Sequence, residues 1–134
     1  MRIHHVGYLV KNIKKSADVF RNLGYSPTGE VCHDHLRGVD ILFIEKDGSM
    51  LELVCPFRDD SEVSGLMPKY KNSPYHICYE VDNLNTSAEQ LRDNGFFPVD
   101  EEPMPAPAIE NRPVWFLLHA QIGLIELVEK GDPQ

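Results

Sequence analysis

Few cysteines, no long apolar run and a shortage of basic residues set the first limits on this chain of 134 residues. Cys32, Cys55 and Cys78 are odd in number and lack the close spacing of a zinc ribbon or redox pair, so no disulfide framework is expected and the thiols read as reduced. No apolar run approaches the roughly 18 residues that span a bilayer. The opening MRIHHVGYLVKN has neither the apolar core nor the small-residue cleavage site of a secretion signal, so the expected location is cytoplasmic, with no membrane partner. Lys and Arg number 13 against 21 Asp and Glu, a net charge of −8 with no basic cluster to offset it, which sets nucleic acid aside. What remains is an ordinary globular composition, 42% apolar and 25% charged, long enough for one domain or two half-units sharing a core.

The chain repeats itself. HHVGYLVKNIKKSADVFRNLGYSP at 4–27 superimposes on YHICYEVDNLNTSAEQLRDNGFFP at 75–98 with an offset of 71, and nine of the 23 positions from His5 to Pro27 are identical. Each copy opens with alternating apolar residues (Val6, Tyr8, Val10; Ile77, Tyr79, Val81) that predict a strand with those side chains packed inward. A helix follows. Asn12 and Asn83 are suited to cap it, Ile13, Ala17 and Phe20 or Leu84, Ala88 and Leu91 form its apolar stripe, and Gly24 and Gly95 stop it ahead of Pro27 and Pro98.

Beyond each helix the pattern turns to strands. GVDILFIE and SMLELVCP flank Lys46-Asp47-Gly48, in which Asp-Gly predicts a tight primed turn. RPVWFLLH and LIELVEK flank a short AQIG connection. LEL at 51–53 matches IEL at 125–127 with an offset of 74, which places three extra residues in the proline-rich stretch 101–113. The predicted architecture is α+β: two tandem βαβββ modules, about 1–57 and 74–130, in a single domain. A polar, exposed joiner at 58–73 connects them, and the final GDPQ is expected to fray.

The repeat brings four side chains into register: His5 and His76 on the first strands, Glu52 and Glu126 on the last. Strand side chains alternate between faces, so His5 can point opposite to Val6 and Tyr8, and His76 opposite to Ile77 and Tyr79. His4, matched by Tyr75, falls on the other face. Each glutamate sits between apolar neighbours, where a carboxylate is costly to bury without a cation or donors. Two imidazoles and two carboxylates carry a charge of about −2, which balances one divalent metal of the Zn, Ni, Co, Mn or Fe(II) kind rather than Cu(I) or a cluster.

The segments HHVGYLV, LELV, YHICYEVDNL and GLIELVEK resemble the vicinal oxygen chelate superfamily, which includes glyoxalase I and methylmalonyl-CoA epimerase. The resemblance covers nearly the whole chain and implies curved mixed sheets of two βαβββ modules around a central site. By position His5, Glu52, His76 and Glu126 match the family's metal ligands. The set is similar to that of bacterial glyoxalase I, whereas FLLHAQIGLIELVE looks more like the epimerases, which commonly place Gln where this chain has Glu52. The glyoxalase-type Asp-Pro-Asp-Gly turn before the last strand is absent. The resemblance implies a lyase or isomerase that moves a proton next to the carbonyl of a small-molecule thioester or hemithioacetal. Its base would be Glu126 first and Glu52 second, with Asp40 close to where the epimerases carry a catalytic carboxylate. By analogy the chain forms a homodimer. A metal-free small-molecule binder of the same fold and an Fe(II) ring-cleaving dioxygenase stay open as alternatives.

Other residues carry weaker signals. Cys78, two residues past His76, should share its face but reads first as a small buried thiol. His33 and His35 are expected to be solvated, and Trp115 to be part of the core. Asn111 and Arg112, just before a strand, could clamp a substrate carboxylate or phosphate.

Overall fold

A computed structural model describes residues 1–61 and 63–131, so Asp132, Pro133 and Gln134 of the expected frayed end lie outside the described residues. The chain divides into two compact units, His5–Tyr75 and Met1–His4 with His76–Gln134. This division follows the chain's contacts and does not coincide with the modules of the repeat. The joiner 58–73 belongs with the first copy, and the first four residues belong with the second.

β1 (Arg2–Leu9), whose residues from His5 on lie in the unit His5–Tyr75, leads into α1 (Ile13–Arg21), whose first turn is capped by Asn12 Oδ1 accepting the Lys15 N–H at 2.9 Å. Two short strands follow, β2 (Ser26–Pro27) and β3 (Cys32–Asp34), and both pair with β4 (Val39–Lys46). They act as one edge strand broken in the middle. β4 returns antiparallel through β5 (Ser49–Pro56), which runs parallel beside β1. The turn is of the primed kind: Asp47 and Gly48 have φ of 51° and 82° between the paired residues Lys46 and Ser49. One face of this sheet packs on α1 through Val10, Ile13, Ala17, Leu42, Ile44 and Leu53. The joiner is less exposed than its composition predicts. Ser61 and Val63 are buried, α2 (Met67–Tyr70) forms within it, and Asn72 Oδ1 accepts the Lys11 N–H at 3.1 Å. Val63 has apolar area to hide, which explains the burial.

The second unit repeats the plan. β6 (Ser73–Val81) leads into α3 (Leu84–Arg92), capped by Asn83 Oδ1 accepting the Thr86 N–H at 2.9 Å. β7 (Phe97–Pro98) and β8 (Met104–Ala106) pair with β9 (Arg112–His119), which folds back on β10 (Gly123–Glu129). β10 runs parallel to β6. The proline-rich stretch thus holds a strand and a 3-10 turn at Pro107–Ile109. Val81, Leu84, Ala88, Trp115, Leu117, Ile125 and Leu127 form the core under α3, with Trp115 Nε1 donating to Asp100 O at 2.9 Å. Ile77 departs from expectation. It is exposed, because it precedes the part of β6, Tyr79 and Val81, that packs with α3.

Candidate metal centre

Strand alternation decides what lies behind each core. In the first unit the α1 face takes Leu42, Ile44 and Leu53, so Phe43 and Glu52, which are cross-strand partners, point the other way. Gly7 stands opposite Glu52 on β1, and His5, two residues earlier, shares that face. In the second unit Trp115, Leu117, Ile125 and Leu127 turn to α3, leaving Phe116, Glu126, Cys78 and His76 on the opposite face. His5 is 1% exposed, Glu52 5%, His76 3% and Glu126 4%. His4 is only half-buried, as its place on the other side of β1 predicts.

Within each unit the imidazole meets the glutamate. His5 Nε2 lies 3.6 Å from Glu52 Oε1, and His76 Nε2 lies 3.3 Å from Glu126 Oε1. These separations exceed the usual range of an N–H···O hydrogen bond. Metal–nitrogen and metal–oxygen bonds of about 2.0–2.2 Å place two donors of one ion about 2.8–3.6 Å apart, from octahedral to tetrahedral angles. The spacing and the donor types of each pair therefore fit two neighbouring ligands of a divalent metal. Each imidazole also meets an aromatic ring edge to face: His5 with Phe43 at 5.2 Å between centroids and 79°, His76 with Phe116 at 5.1 Å and 86°.

The remaining sequence-predicted residues fall elsewhere. Asp40 shares the face of Leu42 and Ile44 rather than that of Glu52, since it stands three positions, an odd offset, from Phe43. Its carboxylate is held by His33 Nδ1, so neither residue is simply solvated, and the His33 ring stacks on Phe57 at 3.9 Å. Asp40 is thus not positioned as a base beside the His5–Glu52 pair. Arg112 is not a free clamp: its Nη2 donates to Glu80 Oε2 at 2.7 Å and its Nε to Glu129 O at 2.9 Å. Asn111 is exposed with φ of 59°, its N–H donating to Ala106 O at 2.9 Å. Cys78 is fully buried beside Glu126 in the ladder, and Trp115 is in the core, both as expected.

Sequence reading passed over Phe43 and Phe116, although ILFIE and VWFLL carry a phenylalanine at matching places in the two hairpins. It also missed the buried pair of Asp34 and Arg37. Asp34 accepts from the Arg37 N–H at 3.0 Å and from its Nη1 at 2.9 Å. The turn from Asp34 to Gly38 was the available signal, for Gly38 has φ of 71° and its N–H donates to Asp34 O.

None of the three cysteines is in a disulfide. Burial pushes the Cys32 thiol up, and the carboxylates of Asp34, Asp40 and Glu52 add to it; Cys55 is raised by burial and then by Asp40. Both remain protonated at neutral pH, which makes them poor nucleophiles.

Glu80 has its carboxyl held below the ordinary glutamate range, first by the hydrogen bond from Arg112 and further by Arg2, whose Nη2 is 3.2 Å from Glu80 Oε1. A carboxylate whose value is depressed on folding contributes stability above its unfolded value. That stability is lost as pH falls through the folded one. Glu80→Gln is therefore expected to lower the melting temperature at pH 7, with the gap to the parent closing at pH values below the ordinary glutamate range. A gap that stays constant from pH 7 to 3 would remove Glu80 as the source.

The sequence matches the family described as the Glyoxalase/Bleomycin resistance protein/Dioxygenase superfamily over residues 4–116. The mitochondrial methylmalonyl-CoA epimerase of Homo sapiens is 30% identical over 129 residues, covering 94% of this chain and 72% of that protein. Among solved structures, a hypothetical protein of Bacillus halodurans C-125 shares 25% identity at a TM-score of 0.87, covering 99% of this chain and 96% of that one. The methylmalonyl-CoA epimerase of Mycobacterium tuberculosis has the same fold, with a TM-score of 0.84, 22% identity and coverage of 98% and 89%. The α+β fold and the resemblance carried by HHVGYLV, LELV, YHICYEVDNL and GLIELVEK are both borne out, and the chain belongs to the glyoxalase/bleomycin resistance protein/dioxygenase superfamily, with methylmalonyl-CoA epimerases among its relatives.

Proposed function

We propose that this chain is a divalent-metal-dependent isomerase that moves the proton on the carbon next to the thioester carbonyl of an acyl-CoA, methylmalonyl-CoA being the first candidate. The observation that carries the reading is the duplicated buried pair, His5 with Glu52 and His76 with Glu126, each at the spacing of neighbouring metal ligands. It is supported by the epimerase names of the relatives. The two pairs together would hold one Zn, Ni, Co or Mn ion, whose charge their two carboxylates balance. When bound, such an ion supplies a Lewis acid that draws electron density from the thioester carbonyl and acidifies the neighbouring C–H.

The proton is moved by the protein. Glu126 takes it first in our reading and Glu52 is the alternative; each carboxylate has a second oxygen beyond the one that faces its histidine. Return of the proton to the opposite side of the same carbon completes epimerisation. Both glutamates are nearly fully buried, which keeps bulk water away and strengthens the charge interactions around them. A homodimer and a cytoplasmic location complete the reading. Cysteines outside any disulfide fit a reducing compartment, and no helix among the described residues is long and apolar enough to cross a membrane.

Metal-loaded protein in D2O, followed by proton NMR, tests the proposal with methylmalonyl-CoA and the glutathione hemithioacetal of methylglyoxal offered separately. Exchange of the α-proton of the acyl-CoA alone is expected. Exchange of the hemithioacetal alone would move the assignment to a glyoxalase, and exchange of neither to a metal-free binding protein.

A further inference from the structure

The two His–Glu pairs share a neighbour that metal ligation by itself does not call for. Phe43 is the cross-strand partner of Glu52 and packs edge to face on His5; Phe116 is the partner of Glu126 and does the same to His76. We propose that Phe43 and Phe116 are positioning residues that set the ring planes of His5 and His76, and through them the affinity of each pair for a divalent metal. The inference rests on the metal-binding reading above.

The physical need is specific. The terminal torsion of histidine is broad and roughly two-fold, so a neutral imidazole on a strand does not fix by itself where its Nε2 lone pair points. A ligand whose ring swings by some tens of degrees loses overlap with the ion, which is why residues that orient ligating histidines commonly matter about 10- to 100-fold in affinity. Edge-to-face packing between rings about 5 Å apart is a favoured aromatic arrangement and resists that swing. Both contacts fall at that distance and near a right angle.

The register adds a second constraint. Directly opposed residues on antiparallel strands have Cβ atoms about 4.5–5.5 Å apart. Each phenylalanine therefore stands beside both donors of its pair, packing on the imidazole and bordering the glutamate. The flanking residues differ between the copies, Leu42 and Ile44 against Trp115 and Leu117, yet the ring recurs at the position facing the pair. Both rings are half-buried, and tyrosine, which keeps the ring, is the conservative replacement.

The test is a Co(II) titration of metal-free protein, read by visible absorption, on the parent and on Phe43→Leu, Phe116→Leu, Phe43→Tyr and Phe116→Tyr. Melting temperatures of the metal-free forms are recorded alongside. Each leucine variant is expected to bind Co(II) about tenfold more weakly and to show an altered absorption envelope, while tyrosine restores both. Leucine keeps an apolar side chain in place, so a role confined to packing moves the metal-free melting temperature and leaves the Co(II) affinity and spectrum alone. That outcome overturns the proposal, as does a loss that tyrosine fails to rescue. If a leucine variant does not fold, methionine at the same position takes its place in the comparison. Absence of Co(II) binding by the parent itself overturns the metal reading instead.

Discussion

Glu126→Gln is expected to slow α-proton exchange of methylmalonyl-CoA in D2O by about 10³-fold, within the span of roughly 10² to 10⁴ that general bases contribute. The change is close to isosteric. It keeps an oxygen at the position 3.3 Å from His76 Nε2 but removes the charge and the ability to take a proton. The backbone ladder through Cys78 and Phe116 does not depend on the side chain, so the fold should persist. Circular dichroism with a thermal melt separates lost chemistry from lost structure. Glu52→Gln makes the informative comparison, because an amide oxygen can still act as a donor to a metal. If Glu126 is the base, Glu52→Gln loses about tenfold or less, and if Glu52 is the base the ranking reverses. An exchange rate for Glu126→Gln within about tenfold of the parent removes it from the proton-moving role altogether.

The largest effect on stability is expected at Leu127. Its side chain is fully buried on the α3 face, in one cluster with Val81, Leu84, Ala88, Trp115, Leu117 and Ile125. Leu127→Ala removes the transfer free energy of the lost carbons and leaves a cavity between a helix and two strands that have little room to close. Such changes cost about 2–5 kcal/mol, and the full burial of this leucine argues for the middle of that range. For a chain of this length the corresponding fall in melting temperature is about 10 °C. Leu118→Ala is the control. Leu118 lies one strand position from Leu117 but is 48% exposed, and its replacement is expected to stay within about 1 kcal/mol. A Leu127→Ala melt within 2 °C of the parent would contradict the assignment of this cluster as the core.

The plan of the molecule was legible in the repeat. A strand, an asparagine-capped helix and a hairpin could each be read twice from residues that obey local rules, and the match between His5 and His76 and between Glu52 and Glu126 put both donor pairs in view. What escaped did so for reasons of parity and context. The resemblance put Asp40 close to where the epimerases carry a catalytic carboxylate, but its face depends on counting along the strand, where one step reverses the answer; its true companions are Leu42 and Ile44. The broken edge strands β2, β3, β7 and β8 are only two or three residues long and rich in proline or polar residues, too short for alternation to register. Arg112 looked available because its partner Glu80 lies 32 residues earlier, a distance no local pattern spans. Phe43 and Phe116 were hidden by their setting in apolar runs, where a phenylalanine arouses no suspicion. Only the geometry of the neighbouring imidazoles distinguishes them.

The division of the chain has a practical corollary for anyone wishing to split the protein. Residues Met1–His4 keep company with the second copy, where Arg2 reaches Glu80, while the joiner keeps company with the first. A gene cut at the sequence repeat would strand the opening tetrapeptide on the wrong fragment. Both boundaries fall within strands, between His4 and His5 of β1 and between Tyr75 and His76 of β6, so a cut at either one severs a strand and costs both fragments part of their ladder.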